Sequence, residues 1–153
     1  MTARTRRTRK TFAVTLTFVV IAVLTSTLAA CSGSKGSDLT GKTWQAVSIT
    51  EKQPAFQGMV PPDQQANYTI LFKEDGNAEI RADCNSVGAT WKTGAGASLN
   101  ITLGPSTLMA CPEGSMADQY LRSLGKTVSY GVEGSQLKLT ANDAGQLEFE
   151  AKQ

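Results

Sequence analysis

The chain has 153 residues, 41% of them apolar, with fifteen Lys and Arg, thirteen Asp and Glu, and no histidine. Its formal charge of +2 conceals an asymmetry: residues 1–30 hold five of the basic residues and none of the acidic ones, so residues 31–153 carry −3. A mildly acidic segment of that size suits one domain, lacks the clustered Lys and Arg that displace counterions from nucleic acid, and has no imidazole to serve as general base or metal ligand.

The first element in chain order is an export signal. Arg4, Arg6, Arg7, Arg9 and Lys10 form a basic cluster, and an apolar run from Phe12 to Leu24 follows. That run is 13 residues long, short of the ~20 that cross a bilayer as a helix. It closes on Leu28-Ala29-Ala30-Cys31, two small residues before a cysteine, as in a bacterial lipoprotein signal peptide. Cleavage before Cys31 would leave that cysteine as the lipid-bearing N-terminus, with the membrane reached through the lipid. The alternatives are an uncleaved anchor, or cleavage elsewhere that leaves Cys31 a free thiol. The division expected is a signal peptide over 1–30, a Gly/Ser tether over 31–37 and a folded domain over 38–153.

From Asp38 onward alternation dominates over helical spacing. The first strand is expected around Trp44 to Ile49. The stretch from Glu51 to Asn67, which carries Pro54, Pro61, Pro62 and Asp63, reads as a long surface loop. Tyr68, Ile70 and Phe72 then alternate with Thr69 and Leu71, Glu74-Asp75-Gly76-Asn77 supplies a turn, and Ala78, Ile80 and Ala82 continue the pattern. Further strands are expected at Thr90-Trp91-Lys92, Leu99 to Leu103, Val128 to Val132, Leu137 to Leu139 and Leu147 to Ala151. Between them, Met116, Tyr120, Leu121 and Leu124 share one helical face, with Ser115 as N-cap, Asp118 completing a capping box and Gly125 as the stop. The expected fold is therefore α+β and β-rich: about eight short antiparallel strands forming a barrel-like sheet with one helix packed on it.

With Cys31 assigned to lipid, Cys84 and Cys111 remain as a pair in an exported, oxidising setting, where a disulfide is expected; two buried free thiols are the alternative. Both cysteines lie in distinctive segments, Asp83-Cys84-Asn85-Ser86 and Ser106-Thr107-Leu108-Met109-Ala110-Cys111. Together with Leu39-Thr40-Gly41-Lys42-Thr43-Trp44 and the Leu137-Lys138-Leu139 strand, they occur in the order and spacing of the META domain (HslJ-like) family, which residues 38–152 resemble. Trp44, Asn85 and Met109 mark the motifs. Asp83 departs from the family, which usually has glycine before the cysteine. The resemblance implies a small β-rich envelope domain with a helix, linked to stress tolerance and virulence, and it supplies no catalytic residues. On its own residues, Asn85 reads as a brace for its local turn, with ligand binding as the sharper alternative.

The chemistry-bearing groups are sparse. Glu74-Asp75 falls in a turn, and Glu148 and Glu150 fall on the solvent face of a strand, so neither reads as an acid/base pair. No base adjoins either cysteine in sequence. The expectation is a non-enzymatic, lipid-anchored, monomeric domain with no cofactor and no bound metal, acting as an interaction or stress-tolerance module with a protein partner of the envelope. A carrier of a small apolar ligand or lipid is the alternative, since small barrels can hold one ligand in their mouth. Trp44, Trp91, Tyr68 and Tyr130 fit either a filled core or a pocket lining.

Overall fold

The computed structural model describes residues 36–152; the signal peptide, Cys31 and residues 32–35 of the tether lie outside the described residues. Nine strands and one helix follow in chain order: β1 Thr43–Lys52, β2 Ala55–Met59, β3 Tyr68–Phe72, β4 Asn77–Ala82, β5 Asn85–Thr93, β6 Leu99–Ser106, α1 Ala117–Gly125, β7 Thr127–Glu133, β8 Gln136–Ala141 and β9 Gln146–Lys152. The sheet runs β6-β5-β4-β3-β1-β9-β8-β7, with β2 paired to β1 beside that path. All strand pairings are antiparallel. The sheet curls until its two ends touch through a bridge between Ser98 and Ser129, so the barrel-like architecture is present as a nearly closed half-barrel.

Alternation sets the register. Ile70 pairs with Ile80, Leu137 with Phe149 and Leu139 with Leu147, which places these apolar side chains on one inward face. Trp44, Tyr68, Phe72, Tyr120 and Phe149 are the largest fully buried side chains. Tyr68 and Tyr120 meet edge-on at 5.8 Å between ring centres, and Tyr120 continues to Phe149 at 6.2 Å. The helix supplies Tyr120 and Leu124 to this interior, both fully buried. Of the aromatics expected to be either core or pocket lining, Trp44, Tyr68 and Tyr130 are buried in the core, and Trp91 is partly buried against it.

Two departures from the sequence reading have identifiable causes. Within the supposed 51–67 loop lies β2, which pairs with the extended end of β1 from Lys52↔Ala55 to Ser48↔Met59. The hairpin turns at Gln53-Pro54, so the proline punctuated a turn, and only the segment from Val60 onward is irregular. At its end a short 3-10 turn, Gln65–Asn67, leads into β3. The second departure is at the helix. Its N-cap is Met116, with no side-chain cap bond. Ser115 Oγ accepts the Ala117 N–H at 3.2 Å, a local bond in place of the expected capping box.

A β-bulge in β1 matters for everything that follows. The pairing of β1 with β9 slips between Ala46 and Ser48. Burial changes phase there: Trp44 and Ala46 point inward before the slip, Ile49 and Glu51 after it. The bulge thus turns a carboxylate into the protein. Glu51 is met by the helix, where Arg122 donates to both its oxygens at 2.8 and 2.7 Å.

Candidate functional site

The two motif segments converge on one edge of the half-barrel. Cys84 and Cys111 form a disulfide with Cα atoms 5.4 Å apart, as expected from the cysteine count. Asp83, standing where the family has glycine, takes the left-handed backbone at φ 56°; an aspartate tolerates that region better than most residues. Its N–H donates to Asn67 O at 2.6 Å, and its own carbonyl accepts from Arg81 Nε at 3.2 Å. The turn thus takes a left-handed backbone with an aspartate at this position.

Asn85 braces, but not its own turn. Its Oδ1 accepts the Met109 N–H at 2.8 Å and the Thr107 hydroxyl at 2.9 Å. Its Nδ2 donates to Met109 O at 3.0 Å and lies 3.4 Å from both disulfide sulfurs. Thr107 Oγ1 in turn accepts the Ser86 N–H at 3.0 Å. The carboxamide therefore stands in for a strand's backbone, pairing both polar groups of Met109 while the disulfide closes the loop behind it. With both acceptor sites and both donors engaged, Asn85 has no group left for a ligand. Its partner is set by tertiary structure 24 residues away, which sequence reasoning had no means to see.

Met109 serves through its backbone. Its side chain is 59% exposed, and the neighbouring Leu108 is 95% exposed. A shallow groove of about 380 Å³ runs beside them to the start of α1, lined by Asn85, Met109, Cys111, Ser115 and Asp118. Trp44 plays a different part. Fully buried, it donates from Nε1 to Leu39 O at 2.8 Å and fastens the incoming chain to β1. Trp91 does likewise at the rim, donating to Lys73 O and Asn77 O, each at 3.0 Å. The two segments around Cys84 and Cys111 come together; Trp44 belongs to the core.

Acidic side chains are dispersed. Asp75 caps the β3–β4 turn by accepting from Asn77 N and Nδ2, both at 2.9 Å, and these bonds lower its pKa. Glu148 is exposed and accepts from Ser48 Oγ at 3.0 Å. Among the described residues no three His, Cys, Asp or Glu side chains gather as a metal site. A larger groove of about 540 Å³ lies on the outer surface of β7, β8 and β9, where Glu133, Lys138, Glu148 and Glu150 line it. The sequence reading missed two ionic ties that hold α1 and its following residue to the sheet. One is Glu51–Arg122, in which the hydrogen bonds that Arg122 donates to Glu51 raise the Arg122 pKa. The other is Lys126–Asp143 at 2.9 Å, in which the Lys126 bond, followed by the Gly145 N–H, lowers the pKa of Asp143.

The sequence profile of the META domain matches residues 37–153. This chain belongs to the META domain family. No curated protein sequence matches it significantly. Two solved structures share the fold. An NMR structure of a protein from Burkholderia xenovorans is 21% identical, with a TM-score of 0.61 over 78% of this chain and 88% of the other. A crystal structure of a DUF4847 family protein from Bacteroides vulgatus ATCC 8482 is 17% identical, with a TM-score of 0.51 over 73% and 93%. At these identities the likeness concerns the META fold alone.

Proposed function

We propose that this META domain is a lipid-anchored, extracytoplasmic, non-enzymatic module that acts through its surface on a protein partner in the cell envelope. The observation that carries the reading is the filled half-barrel: Trp44, Tyr68, Phe72, Tyr120 and Phe149 occupy the interior that a carrier would keep open. A second support is chemical. The chain has no histidine, and its exposed carboxylates face solvent or cap turns. Leu28-Ala29-Ala30-Cys31 supports the anchor.

Replacing Cys31 with Ala tests the address. The expected result is loss of lipidation and release from the membrane fraction; a variant that partitions into membrane and detergent as the parent does overturns the anchor. Native mass spectrometry of the domain from its own host tests the mode of action. The expected species carries only its covalent Cys31 lipid, whereas a second, dissociable lipid or metabolite bound at near one-to-one occupancy restores the carrier.

A further inference from the structure

We propose that the disulfide-closed loop carrying Leu108 and Met109 is a docking tip that inserts into an apolar pocket, ringed by Lys and Arg, on a partner protein. The inference deepens the surface-acting reading above and rests on it.

Leu108 is 95% exposed and Met109 59%. Burying such a side chain stabilises a fold by roughly 1.5–3 kcal/mol, and this fold makes no use of Leu108. Slack in the loop does not explain the exposure. Asn85 bonds both backbone groups of Met109, Thr107 bonds Asn85 and Ser86, and the disulfide fixes Cys111 beyond the tip. Two apolar side chains are thus held out on a fixed backbone. That arrangement lowers the ordering cost of binding and suits an anchor residue entering a preformed pocket.

Charge selects the kind of partner. Asp83 precedes Cys84, Glu113 follows Cys111 by two positions, and Asp118 lines the same groove as Met109. Arg81, whose Nε bonds the Asp83 carbonyl, adds one cation there, and Arg122 is paired with Glu51, so three carboxylates outnumber that one guanidinium. An acidic surround favours a basic rim and disfavours an anionic bilayer surface. Position agrees. Gly36, at φ +80°, packs against Trp91: an added Cβ would come within 2.9 Å of the ring. Trp91 and Asn85 lie toward opposite ends of β5, about 20 Å apart at ~3.3 Å per residue. Gly36, through which an anchor on Cys31 five residues earlier would hold the domain, thus packs at one end of β5, and the tip lies at the other.

The test uses the full-length chain in its own host, with a photo-crosslinking amino acid at position 108 and, as control, at Lys138 on the outer face of β8. The expected result is a discrete protein adduct from position 108 and none from 138. Its crosslinked peptide should map to an apolar pocket flanked by Lys or Arg. Adding Met109→Asp should lower the adduct yield about tenfold or more, with the melting temperature of the purified variant unchanged. A phospholipid adduct, no adduct, the same adduct from both positions, or a yield indifferent to Met109→Asp overturns the proposal. Fractionation of the same cells reads the anchor independently: a chain found away from the membrane refutes the anchor, while its position-108 adduct still decides the docking tip.

Discussion

The β1 side of the half-barrel and the Cys84–Cys111 edge both use a polar side chain to hold backbone, with opposite results. At β1, Trp44 is fully buried and its Nε1 bond to Leu39 O closes the interior over the incoming chain. At the motif edge, Asn85 grips Met109 just as firmly, yet the segment it grips faces solvent, with Leu108 95% exposed. Stability accounts for the first device. Burial does not account for the second, because fixing an exposed loop costs conformational entropy and buries little apolar surface in return. Order without burial is what the proposed docking tip requires, since a preorganised loop lowers the cost of binding.

The comparison makes graded predictions. Trp44→Ala removes the largest buried side chain and leaves the Leu39 carbonyl unpaired, so the domain should lose about 4 kcal/mol, read by urea denaturation. A loss below about 1 kcal/mol would break the distinction between the regions at its stronger end. Cys84→Ser with Cys111→Ser should cost about 3 kcal/mol through the reopened loop. Because that effect acts on the unfolded chain, the folded core should keep its near-ultraviolet signature while residues 106–112 lose order. Core signals that change with the loop would show the two regions to be one unit.

Asn85→Ala should destabilise global unfolding by about 1–2 kcal/mol and free residues 107–110 without disturbing the sheet, which NMR relaxation can separate. The smallest effect concerns acid. Asp143 has its pKa lowered by Lys126 and the Gly145 N–H, so the folded state resists protonating it. The stability this provides is present above the unfolded carboxylate's pKa, near 4, and is lost as pH falls through the lower folded value. Asp143→Asn should therefore lower the melting temperature at pH 7 slightly, and parent and variant should converge in acid. A difference that persists unchanged at pH 2 would assign it to something other than charge.

Alternation made most of the sheet legible, because apolar residues at every second position in Tyr68–Phe72, Asn77–Ala82 and Gln146–Lys152 admit one buried face. The helix was legible from Tyr120 and Leu124. Its exact start was not, since Ser115 bonds locally to Ala117 and leaves the cap to Met116. The β1 bulge was invisible, as an extra residue leaves no compositional trace, and with it went Glu51, which reads as the start of a loop until the bulge turns it toward Arg122. The disulfide could be inferred by counting cysteines. The partner of Asn85 could not, because an asparagine beside a turn looks the same whether it bonds locally or to a chain 24 residues away.

The most direct test of a loop held in order for an outside partner is amide hydrogen exchange at Met109. Its N–H is bonded to Asn85 Oδ1 in a segment otherwise open to water. The account predicts exchange slowed at least tenfold relative to an unstructured peptide, with the protection lost in Asn85→Ala while β3 and β9 stay protected. Exchange at the unstructured rate in the parent protein would contradict it.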